Sequence, residues 1–153
     1  MYRESGLDER CPVEDTARFT AMIRGANLIV VAREDGRAVG VARCLTDDFY
    51  VTYVSDLAVS RSQQRSGMGK GVLDEIERQV PGVKLVLLAV PDAQAYSPKV
   101  GFGQHPSAWL RRPAQEWKRA SVTERPPVRT AHRPNRAERQ VRRRLIGFCA
   151  GAA

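Results

Sequence analysis

The hexapeptide Gln64-Arg65-Ser66-Gly67-Met68-Gly69 sets two glycines one residue apart, between an alternating run, VTYVSDLAV, and a helical pattern, VLDEIERQV. A glycine turn feeding a helix can hold an anion. Glycine lets the backbone approach closely, and the first helical turn offers N–H groups and the positive end of the helix dipole. Arg65 and Lys70 can add charge. Two familiar phosphate loops are excluded by residue. A P-loop needs Gly-Lys-Ser/Thr after its first glycine, but Gly71 follows Gly69-Lys70 and Gln64 stands at the first glycine position. The dinucleotide fingerprint requires a third glycine where Val72 stands. By itself the hexapeptide fits a structural turn as well as a ligand site.

A second candidate for chemistry is Asp56, inside VTYVSDLAV. Strict alternation puts it on one face with Tyr50, Thr52 and Val54, opposite Tyr53, Ser55 and Leu57. A carboxylate in an apolar strand needs a partner or a task. It is either bonded to backbone or an arginine, or it serves as a base. Cys11, Cys44 and Cys149 are scattered, and neither His105 nor His132 gives them metal-ligand spacing. Reduced thiols and no bound metal are expected.

These residues must be positioned by regular elements. VEDTARFTAMIRGAN reads as a short amphipathic helix with Phe19, Met22 and Ile23 at helical spacing. LIVVAR (28–33) and AVGVARCLT (38–46) flank EDGR, an Asp-Gly hairpin signal. FYVTYVSDLAV (49–59) is a third strand. A helix over about 67–80 follows, with Met68, Val72, Leu73, Ile76 and Val80 on one face and Asp74 and Arg78 paired on the other. VKLVLLAV (83–90) predicts a strand buried on both faces. DAQAYSPKVGFG predicts a short helix limited by Pro98 and Gly101, and SAWL a last strand. The fold class is thus α/β, a mixed, mostly antiparallel twisted sheet with flanking helices.

At 153 residues the chain suits one domain with a real core. No apolar run suits a membrane helix and no signal peptide opens the chain, so a cytoplasmic protein without membrane contact is expected. The net charge of +8 is unevenly placed. Residues 1–110 carry 13 Lys/Arg and 14 Asp/Glu, whereas 111–153 carry 12 and 3. Residues 1–112 therefore read as the domain, and 113–153 as a basic tail without periodic structure, apart from a helical pattern over about 135–148.

The order and spacing of LIVVAREDGRAVGVARCLT, YVSDLAVSRSQQRSGMGKGVLDEI, VKLVLLAV and AYSPKVGFGQHPSAW resemble the GNAT superfamily of acyl-CoA-dependent N-acyltransferases. The resemblance runs from about residue 28 to 110. Within the superfamily it is similar to small bacterial acetyltransferases of the serotonin-acetyltransferase-like type. It implies that the anion is the pyrophosphate of acetyl-CoA, a cosubstrate, cradled by Gln64, Arg65, Ser66, Gly67, Met68, Gly69 and Lys70. It also implies that Leu57, Ala58 and Val59 bond the pantetheine arm through main-chain groups, and that this strand and the next splay around the thioester.

The implied activity is direct transfer of an acetyl group to a small primary amine, by a monomer or homodimer. A backbone N–H near Leu57 would polarise the carbonyl. The family's acid is a tyrosine four residues before the glycine of a Gly-Phe pair. Here that position is Ser97, and Tyr96 lies one earlier, so Tyr96 is the candidate acid. Asp56 is the candidate base, and His105 a candidate wall of the acceptor pocket.

The family's first strand and helix have no counterpart before SGLDERCPVEDTARF. Their loss is expected to expose a sheet edge. The tail matches nothing in the family. It reads as an unselected extension or as a tether for nucleic acid, although only Trp117 and Phe148 could stack on bases, which argues against sequence reading. Two other functions therefore stand beside the enzyme: a CoA-binding domain with little catalysis, and a nucleic-acid-associated module.

Overall fold

The computed structural model describes residues 1–111 and the strand Arg144–Cys149. The chain divides into two units, residues 1–88 with 134–153, and residues 89–133. The first is an α/β unit. Its elements are α1 (Tyr2–Ser5), a 3-10 turn (Leu7–Glu9), α2 (Thr16–Gly25), β1 (Leu28–Glu34), β2 (Arg37–Thr46), β3 (Val51–Val59), α3 (Met68–Gln79), β4 (Lys84–Leu87) and β5 (Arg144–Cys149). The sheet order is β4-β3-β2-β1-β5, with β1-β2 and β2-β3 antiparallel and the two outer pairs parallel.

Local chemistry explains most boundaries. Asp15 caps α2 by accepting the Arg18 amide. Asp35 and Gly36 both take positive φ, 48° and 77°, as the two-residue turn between β1 and β2 requires. At the next turn one carboxylate oxygen of Asp47 accepts the amides of Tyr50, Phe49 and Val51, which holds its pKa below the ordinary carboxylate range. Helix α3 buries Val72, Leu73 and Ile76. It lies close to the sheet because β2 has Gly40 there. A Cβ at that position would come within 3.2 Å of the Ala32 and Val72 side chains. On α3 the ion pairs differ from the expected Asp74–Arg78 pairing: Asp74 holds Lys70, and Arg78 holds Glu75.

Three expectations about the sheet are corrected. β4 is four residues long and, among the described residues, pairs with β3 alone, so its apolar residues stay partly exposed instead of buried on both faces. No strand forms at SAWL, where Trp109 is 95% exposed. Residues 144–148 of the expected C-terminal helix belong to β5, in register with β1 from Leu28↔Arg144. The rest of that helix and of the tail lies outside the described residues. Among the described residues no strand precedes Leu28, and β5 takes the sheet edge beside β1. An unpaired edge row of N–H and C=O groups favours such an addition.

In the second unit, residues 89–111 are described. The expected short helix is two 3-10 turns, Pro91–Ala93 and Ser97–Val100. A proline sits at the start of each, and Gly101 ends the second at φ 89°. Proline suits the start of a helical turn and cannot donate within a longer one, which limits both. Among the described residues no helix is long and apolar enough to cross a membrane.

Cys44 is fully buried in β2. Burial pushes its thiol up to about 12 from 9.0, and the Arg43 charge only partly opposes this. The folded chain keeps a proton that the unfolded chain loses, so this stability is whole below the unfolded pKa and is lost as pH rises toward 12. By about pH 11 the loss is expected to reach roughly 2–3 kcal/mol. Urea midpoints referenced to pH 8 should therefore fall more steeply in the native sequence than in Cys44→Ala. Parallel curves would show that this thiol titrates normally.

Candidate functional site

The strand-turn-helix from β3 to α3 carries the glycine hexapeptide. After β3 the Ser60 amide bonds to Val39 O, and residues Arg61–Gln63 make a 3-10 turn. The loop holds itself in place. The Gln64 side-chain amide donates from Nε2 to Val59 O at 3.2 Å, and the Ser66 hydroxyl donates to Gln63 O at 2.7 Å. Arg65 and Gly67 both adopt left-handed backbone, φ 64° and 88°, which turns the chain into α3. Gly67 is the N-cap and supplies no side-chain cap. A Cβ on it would meet nothing within 4 Å, so the approach to the helix start is open. The opening-turn amides of Met68 and Gly69 thus lie at an accessible helix N-terminus, suited to an anion. The Lys70 ammonium lies 2.8 and 2.7 Å from Asp74 Oδ1 and Oδ2, an exposed pair one helical turn apart.

The edge of β3 is split. Its pairing with β4 runs from Val51↔Lys84 to Val54↔Leu87 and ends there. Residues 55–59 continue along β2, yet among the described residues no strand covers their other edge. Leu57, Ala58 and Val59 lie on this uncovered stretch, next to the glycine loop. An open edge offers main-chain donors and acceptors to an extended ligand.

At the point where β4 leaves, β3 carries a bulge. Arg43 lies opposite Asp56 but Cys44 lies opposite Val54, which leaves Ser55 as the extra residue. The bulge reverses the faces. Gly40 and Cys44 face α3, and Val54 goes with them. Arg43 and Asp56 face the other side, where the N-terminal segment packs. Asp56 therefore does not share the face of Thr52 and Val54, as uninterrupted alternation predicts.

Asp56 is 6% exposed and accepts three contacts. Arg43 Nε donates to its Oδ2, the Tyr2 hydroxyl donates to the same oxygen at 3.0 Å, and the Cys11 thiol donates to Oδ1 at 3.8 Å. A second Arg43 nitrogen, Nη2, donates to Ser55 Oγ at 2.6 Å. Burial alone would push the Arg43 pKa down, but the Asp56 hydrogen bond and charge hold it above its usual value. Burial, reinforced by Asp56, raises the Tyr2 hydroxyl well above the ordinary tyrosine range and the Cys11 thiol to about 11. Both donors stay protonated at neutral pH. Sequence reasoning missed Arg43, Ser55, Tyr2 and Cys11. The available signal was one isolated charge in each of two neighbouring apolar strands.

Matches to known proteins now bear on this geometry. The family model "Acetyltransferase (GNAT) family" matches residues 2–102. The chain belongs to the GNAT acetyltransferase family. No curated protein matches it in sequence. Among solved structures, one described as an acetyltransferase from Deinococcus radiodurans R1 aligns with a TM-score of 0.53 at 16% identity, over 63% of this chain and 68% of that one. Aminoglycoside N-acetyltransferase AAC(6')-Iy, solved in complex with CoA, aligns with a TM-score of 0.52 at 18% identity, over 66% of this chain and 87% of that one. At these identities the neighbours show the fold. The mixed α/β sheet is that of GNAT proteins.

The other expected GNAT residues lie in the second unit. Tyr96 caps the Ser97–Val100 turn and is 37% exposed. The Ser97 hydroxyl donates to Ala93 O at 3.4 Å. His105 Nδ1 accepts the Ser107 amide at 3.2 Å, which commits one ring nitrogen to its own loop.

Proposed function

We propose that this GNAT protein transfers an acetyl group from acetyl-CoA to a small primary amine by direct attack. The observation that carries the reading is the open, glycine-turned start of α3 beside the uncovered edge of β3. The two features suit the two ends of one ligand. The amides of Met68 and Gly69 hold the pyrophosphate, with Gln64, Arg65, Ser66, Gly67 and Lys70 shaping the cradle. Main-chain groups of Leu57, Ala58 and Val59 bond the extended arm, which brings the thioester to the split in the sheet. The neutral amine attacks the thioester carbonyl carbon there. The C–S bond breaks as the amide forms, and the thiolate leaves with the electron pair.

Tyr96 supplies the proton to that thiolate in this reading. Ordinary phenols, at roughly 10, and thiols, at roughly 8.5, are close enough in acidity for proton transfer in concert with bond cleavage. Asp56 is not retained as the base. Its two oxygens already accept from Arg43, Tyr2 and Cys11 on the face away from α3, so its task here is to anchor them. The amine's surplus proton passes to solvent, and Tyr96 regains from solvent the proton it gave to the thiolate.

Thiol release from acetyl-CoA with a panel of amines tests the activity. Release above background with at least one amine is the expected result. CoA binding without release from any amine would leave a CoA-binding domain and sink the enzyme reading. Tyr96→Phe is expected to lower kcat about a hundredfold while leaving KM for acetyl-CoA unchanged. An unchanged kcat would move the proton donation to water. The neighbour solved with CoA is an aminoglycoside N-acetyltransferase, which makes aminoglycosides one useful arm of the amine panel.

A further inference from the structure

We propose that Glu34, at the end of β1, is a positioning residue for the glycine loop: it holds Gln63 and so keeps the start of α3 ready for its anion. The inference rests on the acetyl-CoA reading above, and Glu34 itself is assigned no contact with the ligand. Gln63 Nε2 donates to Glu34 Oε2 at 2.7 Å, across 29 positions of sequence. An ionised carboxylate only accepts, so the amide nitrogen of Gln63 must face it.

The loop's own bonds meet at Gln63. Its backbone amide donates to Ser60 O at 2.9 Å, and its carbonyl accepts the Ser66 hydroxyl at 2.7 Å. Ser66 directly precedes Gly67, the N-cap of α3. The Ser60 amide donates in turn to Val39 O at 2.8 Å. Val39 lies on β2 and Glu34 on β1, so the loop rests on this hairpin at two points. The hairpin is a firm support. Glu34 pairs with Arg37 across the Asp35-Gly36 turn, and Arg33 Nη1 donates to Gly36 O at 3.0 Å. On its other edge β1 is paired with β5 as far as Arg33↔Cys149, one residue short of Glu34.

The loop needs such support. Arg65 and Gly67 sit in left-handed backbone, and Gly67 has no side chain to cap the helix. A glycine has many other conformations open to it, and fixing the turn before the ligand arrives lowers the cost of ordering it on binding. The charge of Glu34 makes the test decisive. A carboxylate bonded to an anion-binding loop repels the anion, so by Coulomb's law alone its removal would strengthen binding. Positioning predicts the opposite sign.

Calorimetric titration of the full chain with acetyl-CoA, together with hydrogen exchange of the free protein, tests this. Glu34→Ala is expected to weaken binding about three- to tenfold, and Gln63→Ala by a similar factor. The double variant is expected to lose no more than either alone, because both changes remove one bond. Glu34→Gln, whose side-chain carbonyl still accepts, is expected to keep most of the affinity. In free Glu34→Ala the amides of residues 63–67 are expected to exchange faster, while Tm stays within about 2 °C of the native value. Unchanged exchange in the loop, unchanged or tighter binding in Glu34→Ala, or losses that add in the double variant would each overturn the proposal. Failure of the native sequence to bind acetyl-CoA would instead overturn the reading beneath it.

Discussion

Asp56→Ala is expected to destabilise the protein by about 3–5 kcal/mol, since removing one partner of a buried ion pair leaves the other charge uncompensated. Arg43 is 7% exposed and would keep its charge with no carboxylate beside it. The Tyr2 hydroxyl and Cys11 thiol would lose the same acceptor. Tyr2 also packs edge-on against Phe19 of α2, with ring centroids 4.9 Å apart, so the N-terminal segment would loosen with them. At roughly 2–4 °C per kcal/mol for a chain of this size, Tm should fall by about 6–20 °C. Urea unfolding gives the direct measure. The double change Arg43→Met with Asp56→Leu should recover much of the loss, because apolar replacements carry no buried charge. A loss below about 1 kcal/mol for Asp56→Ala would mean that the pair is solvated and anchors nothing.

Gly67→Val is expected to weaken acetyl-CoA binding about a hundredfold or more, through loss of charge-assisted bonds to the opening-turn amides. Two effects combine. At φ 88° a β-branched residue is strained by about 1–3 kcal/mol, so the turn shifts. The added methyl groups also fill the open space through which an anion approaches. Gly82→Val is the control. Gly82 has φ 74° and equally open surroundings, but it lies in the turn before β4. It should lower stability to a similar extent and leave binding intact. Equal affinity in the native protein and Gly67→Val, by calorimetry or melting shift, would remove the glycine turn from the site.

Much of this molecule was legible from residue types and near neighbours. Asp35-Gly36 announced a two-residue hairpin because few other pairs accept positive φ twice, and both residues adopt it. The glycine hexapeptide announced a strand-to-helix turn for the same steric reason, and Gly67 takes the left-handed conformation. The apolar stripe of α3 placed Val72, Leu73 and Ile76 in the core. Asp56 was recognisable as a carboxylate in need of a partner, yet its partner was not identifiable.

What escaped the sequence depended on residues far apart in the chain. A bulge is a mismatch between two strands, so neither β2 nor β3 alone reveals that Ser55 is the surplus residue. Its consequence is large, since a one-residue shift carries Asp56 from one face of the sheet to the other. The apolar run of β4 looked like a central strand, but position in a sheet is decided by which edges remain to be paired. The same reason applies to β5, whose pairing with β1 joins residues more than a hundred positions apart.

The sequence by itself determined the elements from α2 to α3, their order, the anion-suited turn and, through these, membership of the GNAT family. Steric limits on φ, and the periodicity of apolar side chains, act within a few residues and can be read along a line. Only the tertiary structure decided that β3 parts from β4 at Val54 and that Ser55 bulges there under Arg43. It also decided that Asp56 anchors Tyr2 and Cys11. Those outcomes follow from hydrogen-bond satisfaction and charge burial between strands, which no stretch of sequence contains alone.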